Sequence, residues 1–178
     1  MEFTNVVKTR QSIRKYKNNP INREIIKQII ETASLAPSWK NSQTARYHVV
    51  DTPEILKKIK DECLPDFNQE NCKDAPVLLI TSFIKNRSGY NRDGTPTNEL
   101  ENSWGAYDLG LHNQTALLQA AELGISSLVM GIRDEKKIKE ILTINDGESI
   151  VSVIALGISD SSAERPKRKT VEEITTFY

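Results

Sequence analysis

Apolar residues recur at every third or fourth position along much of the chain, which is the spacing of an amphipathic helix. In residues 22–36, one helical stripe carries five of them: Ile25, Ile26, Ile29, Ile30 and Ala33. Asn22 stands where an N-cap residue is expected, and Pro37 follows the last residue of the pattern. The pattern therefore predicts a helix that begins after Asn22 and ends before Pro37.

Four further segments have helical character: residues 4–9, 53–63, 104–124 and 134–142. Thr4 and Asp134 are placed to cap the first and the last of these helices, and Pro53 fits the first turn of its helix. We expect the third segment to form a central buried helix, which Gly124 ends in a left-handed conformation.

Extended structure is predicted in four other segments: residues 46–51, 75–83, 125–131 and 150–158. The second and the fourth are short, continuous apolar runs, which are typical of strands buried on both faces. Helices thus alternate with a few apolar strands. This order predicts an α/β or α+β fold in which helices cover both faces of a sheet.

Residues 85–102 have no periodicity and contain Gly89 and Gly94. A loop of this length is either a lid over a site or a mobile segment, and the sequence does not decide between them. The chain contains no internal repeat. We expect residues 1–178 to form a single domain, with residues 160–178 as a polar, basic C-terminal extension.

Positive charge is concentrated near both ends of the sequence, although 24 Lys and Arg residues balance 24 Asp and Glu residues overall. From Phe3 to Arg23 the charged residues are all basic: Lys8, Arg10, Arg14, Lys15, Lys17 and Arg23. The segment "RPKRK" adds Arg165, Lys167, Arg168 and Lys169. A zero net charge argues against non-specific electrostatic binding to nucleic acid, which needs an excess of cationic residues. The two clusters are better suited to a compact anion.

The side chains that carry catalysis in most enzymes are scarce. No glycine-rich dinucleotide or P-loop motif, metalloprotease motif or nucleophile elbow occurs, and two histidines are too few for a probable metal site. His112 follows Asp108 by four positions, which predicts a contact along one helix face more than a catalytic pair. Cys63 and Cys72 lack the spacing of a redox or zinc site and are expected to be reduced thiols. An enzyme of this composition needs a cofactor for its chemistry.

The N-terminal sequence contains no apolar core of a secretory signal, and the longest apolar runs are far shorter than the ~20 residues that cross a bilayer. We therefore expect a soluble, cytoplasmic protein that binds neither membranes nor nucleic acid.

Several segments in order resemble the nitroreductase family of FMN-dependent oxidoreductases: "TRQSIRKY", "REIIKQIIETASLAPSWKNSQ", "RYHVV", "DAPVLLI", "LLQAAELGISSLVMG", "IVSVIALGI" and "RPKRKTVEEI". The resemblance spans nearly the whole chain. It implies an α+β fold with three layers (α/β/α), in which helices flank a central, mostly antiparallel sheet. It also implies a homodimer in which the C-terminal segment crosses to the partner, where "VEEITTFY" adds an edge strand.

The resemblance also implies an FMN site. Its phosphate contacts are Arg10 and Ser12, with Arg168 as first choice and Lys167 as second choice from the C-terminal segment, while Lys169 stays open. Gln11 is a further cofactor-binding residue. Arg14 and Asn68 correspond to the residues beside the pyrimidine edge of the flavin.

Two further sets of contacts follow from the same resemblance. Met130 and Gly131 match the backbone that approaches the reactive flavin nitrogen. The segment "PSWKN" resembles the part that reaches the partner's flavin: Pro37, Ser38, Trp39 and Asn41.

The implied activity is hydride transfer from NADH or NADPH to FMN, and from FMN to a nitroaromatic, quinone or similar small acceptor, in a ping-pong sequence. No side chain is assigned a catalytic role, and no metal is expected. Two alternatives stay open: a flavin-consuming or dehalogenating enzyme of the same fold, and a non-enzymatic module that binds a polyanion. The sequence does not identify the acceptor or the preferred nicotinamide.

Overall fold

The structure, a computed structural model, describes residues 2–178. In this part of the chain the helices are α1 Phe3–Thr9, α2 Arg23–Ser34, α3 Pro53–Cys63, α4 Asp66–Cys72, α5 Ser103–Glu122, α6 Glu135–Leu142 and α7 Val171–Ile174. A short 3-10 turn spans Trp39–Asn41. The strands are β1 Ala45–Val50, β2 Val77–Ile84, β3 Ser126–Met130 and β4 Glu148–Gly157.

The four strands form one sheet in the order β1-β2-β4-β3, and every neighbouring pair is antiparallel. Leu78 of β2 faces a core that contains residues of α3 and α6, whereas Leu79 faces a second core with residues of α2 and α5. Because successive side chains of a strand point to opposite faces, a strand with apolar residues on both faces contributes to both cores. The predicted α+β fold with three layers is confirmed.

Most helix ends lie where the local signals predict them. The Asn22 side chain accepts a hydrogen bond from the backbone of Glu24 (2.9 Å), and Asp134 accepts one from Lys137 (3.0 Å). Pro53 begins α3, and Gly124, at φ +75°, follows the end of α5. The prediction for Thr4 is wrong, because α1 begins at Phe3 after Glu2 without a side-chain cap.

Two short helices depart from the predicted elements. Residues 66–72 form α4, which the sequence patterns did not indicate. Residues 171–174 form α7, whose N-terminus is held by a capping box between Thr170 and Glu173. The prediction of an exchanged strand is therefore wrong for residues 171–174. Within the segment "VEEITTFY", only residues 175–178 have a non-helical conformation.

Residues 85–102 contain no helix or strand, as predicted, but they are anchored to the start of α5. The side chains of Asn86 and Asn102 are joined by a 2.8 Å hydrogen bond, and the indole nitrogen of Trp104 donates to Asn98 (2.9 Å). The longest exposed stretch of this segment is its tip, residues 91–97, whereas Ser88 and Gly89 are buried.

Cys63 and Cys72 are free thiols, as the sequence predicts. Both are buried, and burial raises the pKa of each thiol to about 11. Both are therefore protonated and unreactive near neutral pH. In the described part of the chain, no helix combines the length and the apolar character that a membrane span requires.

Candidate functional site

The segment after α1 runs beside the outer edge of β3. Ser12 forms a parallel bridge with Ser127, and the backbone N–H of Ile13 donates to the carbonyl oxygen of Ser127 (3.0 Å). Ile13 is buried in the core, whereas its neighbours Ser12 and Arg14 are exposed. Alternation along this extended segment therefore anchors the apolar side chain and leaves the polar ones at the surface.

The C-terminal extension is attached to this same segment. A side-chain nitrogen of Arg165 donates to the carbonyl oxygens of Val7 (3.0 Å), Lys8 (2.5 Å) and Arg10 (2.9 Å), which lie at the end of α1. The Gln11 side chain accepts a hydrogen bond from the backbone of Ala163 (3.2 Å). The two basic ends of the sequence are thus neighbours in the fold.

A cavity of about 110 Å³ lies between the two segments, and we call it the arginine cavity. It is lined by Arg10, Gln11, Ser12, Arg14, Ala163, Glu164, Arg165, Pro166 and Arg168. All four predicted N-terminal contacts and the first choice from the C-terminal segment are therefore together. Lys167, the second choice, is not part of the lining.

The arginine cavity carries unbalanced positive charge. Burial, and then the charges of Arg165 and Arg168, lower the pKa of Arg10 from its ordinary value. Within residues 2–178, none of the ion pairs joins a carboxylate to these three arginines. Glu164 is the one acidic residue of the lining, and clustered guanidinium groups that form no ion pair fit an anion with several acceptor oxygens, such as a phosphate group.

A second group of predicted residues lies further along the same strand. Met130, the buried last residue of β3, is three positions after Ser127, which corresponds to about 10 Å of strand. The Asn68 side chain, 5% exposed, donates to the carbonyl oxygen of Ile132 (3.3 Å). The fold therefore brings Asn68 and the residues around Gly131 together.

The backbone at Gly131 faces open space. No atom lies within 4 Å of the position that a Cβ would take there, so packing inside this chain does not require glycine. The following residues are fixed to a β-bulge in β4: Arg133 contacts the carbonyl oxygen of Ile150, and Glu135 accepts from the Ile150 N–H (3.1 Å). The site therefore has an open, firmly held backbone beside Asn68.

The third predicted group is not part of this arrangement. Pro37, Ser38, Trp39 and Asn41 do not line the arginine cavity and are attached to α5 instead. The backbone N–H of Trp39 donates to the Asp108 carboxylate (2.9 Å), and the Ser38 hydroxyl accepts from the Gln43 backbone (3.0 Å). Pro37 and Asn41 are exposed, which leaves them free to contact another molecule.

Sequence reasoning missed the roles of two residues that shape these groups. Arg165 was visible in "RPKRK", but its role at the end of α1 was not. Asp108 was interpreted as a partner of His112, whereas its hydrogen bonds go to Trp39 and to Ser88 (2.6 Å). No sequence signal connects Asp108 to those two partners.

Comparison with known proteins agrees with this architecture. The model of the nitroreductase family matches residues 7–71 and 63–158. A 4-nitrobenzoate reductase of Pseudomonas putida is 27% identical over 99% of this chain and 95% of its own length. An FMN reductase [NAD(P)H] of Bacillus subtilis is 30% identical over 88% of this chain and 66% of its own length.

The fold has solved counterparts as well. A protein from Exiguobacterium sibiricum, assigned as a nitroreductase and crystallised in complex with FMN, superposes with a TM-score of 0.88 at 22% identity. The superposition covers 100% of this chain and 98% of that one. Together, the family match over most of the sequence and the shared fold show that the chain belongs to the nitroreductase family.

Proposed function

We propose that this protein is an FMN-dependent NAD(P)H oxidoreductase that reduces small acceptors such as nitroaromatics and quinones. The arginine cavity carries this proposal, because Arg10, Arg165 and Arg168 converge there without a carboxylate partner. The name of the Bacillus subtilis relative includes both FMN and NAD(P)H, and the Exiguobacterium sibiricum protein was crystallised with FMN.

In this proposal, Arg10, Arg168 and the Ser12 hydroxyl hold the FMN phosphate, while Gln11 keeps the C-terminal extension in place through Ala163. Bound FMN supplies hydride transfer between the nicotinamide and the acceptor. Arg14 donates to the Ser12 carbonyl oxygen (3.3 Å), which holds its guanidinium group at the arginine cavity, and we assign it to the pyrimidine edge of the flavin. A fixed cation there stabilises the negative charge of the reduced ring.

Asn68 and Gly131 form the other end of the proposed site. The Asn68 amide donates to Ile132, and its own oxygen is available to accept a hydrogen bond from the ring edge. The open backbone at Gly131 gives the ring close access to N–H groups. These residues bind and orient, and none of them acts as a nucleophile.

We also propose that the active unit is a homodimer. Pro37, Ser38, Trp39 and Asn41 lie apart from the arginine cavity of their own chain, and we place them at the cavity of the partner. The C-terminal residues have the exposed apolar surface of an interface: Val171, Ile174, Phe177 and Tyr178. Ser12 already occupies part of the outer edge of β3, so we assign residues 175–178 to the outer edge of the partner's β1.

Cofactor binding is tested by titrating the purified protein with FMN and following flavin fluorescence. We expect tight binding, and at least about 100-fold weaker binding for Arg10→Glu, which places a negative charge beside the phosphate. Lys58→Glu makes the same change of charge on the outside of α3 and should leave the affinity unchanged. Equal affinities of the two variants would contradict the phosphate assignment.

Activity is tested by anaerobic titration with NADH and NADPH, followed by addition of nitrofurazone, menadione or a halogenated tyrosine. Bleaching of the flavin by a nicotinamide and its return with nitrofurazone or menadione are the expected results. Return only with the halogenated tyrosine would favour a dehalogenating enzyme. A colourless protein that binds DNA with steep salt dependence would favour a polyanion-binding module. Light scattering that shows a monomer with bound flavin would contradict the homodimer.

A further inference from the structure

A buried carboxylate lies beneath the turn that carries Ser38 and Asn41. Asp108, on α5, is 3% exposed, and one of its oxygens accepts hydrogen bonds from the backbone of Trp39 (2.9 Å) and the hydroxyl of Ser88 (2.6 Å). A buried carboxylate without hydrogen bonds is unfavourable by several kcal/mol, so these contacts are tightly constrained. Asp108 therefore links α5 to two separate loops.

The hydrogen bonds around Ser88 have a fixed direction. The carboxylate of Asp108 can only accept, so the single hydroxyl proton of Ser88 points to it. The hydroxyls of Ser42 (2.7 Å) and Thr44 (3.3 Å) must then donate to the Ser88 oxygen. The negative charge of Asp108 thus orients one chain of hydroxyls that reaches the far end of the turn.

The turn needs such support, because its backbone is strained. Lys40, Asn41 and Gln43 have φ angles of +46°, +55° and +49°, in the left-handed region that side chains with a Cβ rarely adopt. Each such residue costs about 1–3 kcal/mol unless its surroundings impose the conformation. Asp108 holds the turn at Trp39 directly and at Ser42 and Thr44 through Ser88.

We propose that Asp108 is a positioning residue for flavin binding in the partner subunit. It holds residues 38–44 in the strained conformation that presents Ser38 and Asn41 to the arginine cavity of the other chain. This inference rests on the proposed function, because it assigns the turn to a flavin site that two chains share.

Replacement by asparagine tests the role of the charge with little change of shape. In Asp108→Asn, the amide oxygen can still accept from Trp39 and Ser88, but both hydrogen bonds lose the charge of the carboxylate and become roughly half as strong. We expect FMN binding to weaken roughly 10- to 100-fold, as for other small displacements of a binding segment. Asp93→Asn, in the exposed tip of residues 85–102, is the matched control and should bind FMN like the unaltered protein.

Mixed dimers separate a positioning role from a purely structural one. Asp108→Asn disturbs the turn but leaves the arginine cavity of its own chain intact. Arg10→Glu disrupts the cavity but leaves the turn of its own chain intact. A dimer with one chain of each kind has one complete site, so it should bind one FMN tightly and show the absorption spectrum of the unaltered site. Each homodimer of the variants should bind FMN weakly.

The outcomes are distinct. If the mixed dimer binds no better than the two variant homodimers, Asp108 does not act on the partner's site and the inference is wrong. Unchanged FMN affinity and spectrum in Asp108→Asn, with only a lower melting temperature, would also overturn it. If Asp108→Asn does not fold, Ser88→Ala takes its place in the same mixture. Failure of the unaltered protein to bind FMN would instead contradict the proposed function itself.

Discussion

A side-chain nitrogen of Arg165 lies 2.9 Å from the backbone carbonyl oxygen of Arg10. The same nitrogen also reaches the carbonyl oxygens of Val7 and Lys8, at the end of α1. Helix C-termini carry partial negative charge and unpaired carbonyl groups, so a guanidinium group is a favourable partner. The position of Arg168 in the arginine cavity therefore depends on a contact made three residues earlier.

Arg165→Gln removes this attachment and one positive charge. We expect FMN affinity to fall by roughly 10- to 100-fold, since charge-assisted hydrogen bonds contribute about 1.5–3 kcal/mol. Lys169→Gln removes the same charge from the same segment and should have less than a threefold effect, because Lys169 does not line the arginine cavity. Fluorescence titrations of the two variants compare them directly. Similar losses in both would mean that total charge, and not the attachment, controls binding.

Gly89 and Gly94 allow a matched test of how residues 85–102 are anchored. Both have left-handed φ angles, +82° and +84°, so alanine is unfavourable by about 1–2 kcal/mol at either position. At Gly89, however, the new Cβ would lie 2.6 Å from the Trp104 ring, whereas nothing lies within 4 Å at Gly94. We expect Gly89→Ala to lower the free energy of unfolding clearly more than Gly94→Ala in urea titrations. Equal effects would mean that the loop is not held against Trp104.

Asn68→Leu removes the hydrogen bond to Ile132 with little change of volume. The carbonyl of Ile132 loses its partner, which should reduce the free energy of unfolding by about 0.5–1.5 kcal/mol, because this backbone is open to water. Hydrogen exchange should become faster at residues 131–133. Asn71→Leu makes the same replacement one helical turn later and should not affect exchange there. Unchanged exchange in Asn68→Leu would show that Asn68 does not hold this backbone.

We predict that His112 makes the folded protein less stable in mild acid. Burial lowers the pKa of its imidazole, an effect that the charge of Asp108 opposes, and its Nε2 atom is buried without a hydrogen-bond partner. The unfolded chain therefore binds the proton more readily than the folded one. This contribution to stability is complete above the ordinary histidine pKa of about 6.5 and declines as pH falls below it toward the lower pKa of the folded state. Between pH 7.5 and 5.5, the melting temperature of His112→Gln should therefore fall less than that of the unaltered protein. Parallel pH profiles of the two proteins would contradict this assignment.

Local signals predicted the parts of the fold that local chemistry controls. Asn22, Asp134 and Gly124 act on backbone groups within a few residues, so their roles are visible in the sequence. Helix α4 was missed because its sequence, "DFNQENC", has no apolar stripe, and packing against the rest of the fold holds it. The prediction that Thr4 caps α1 failed because the N-cap position is Glu2, two residues earlier, and its side chain forms no cap.

In the candidate site, too, some features could be predicted from the sequence and others depend on contacts between distant residues. The pairing of Arg10 with Arg168 followed from the family resemblance, and the structure places both at one cavity. The hydrogen bonds of Asp108 join residues that are 69 and 20 positions apart, and only the folded chain reveals them. Asp108 looked like a partner of His112 because spacing along one helix was the only geometry that the sequence provided.

The contact of Arg165 with Arg10 spans 155 positions of the sequence. At synthesis rates of roughly 5–20 residues per second, a ribosome adds those residues in roughly 8–30 s. During that interval Arg10, Ser12 and Arg14 lack the cations that the C-terminal segment adds to the arginine cavity. A chain that ended before Arg165 would contain the sequence of all four strands but would lack Arg165, Pro166 and Arg168 of the arginine cavity.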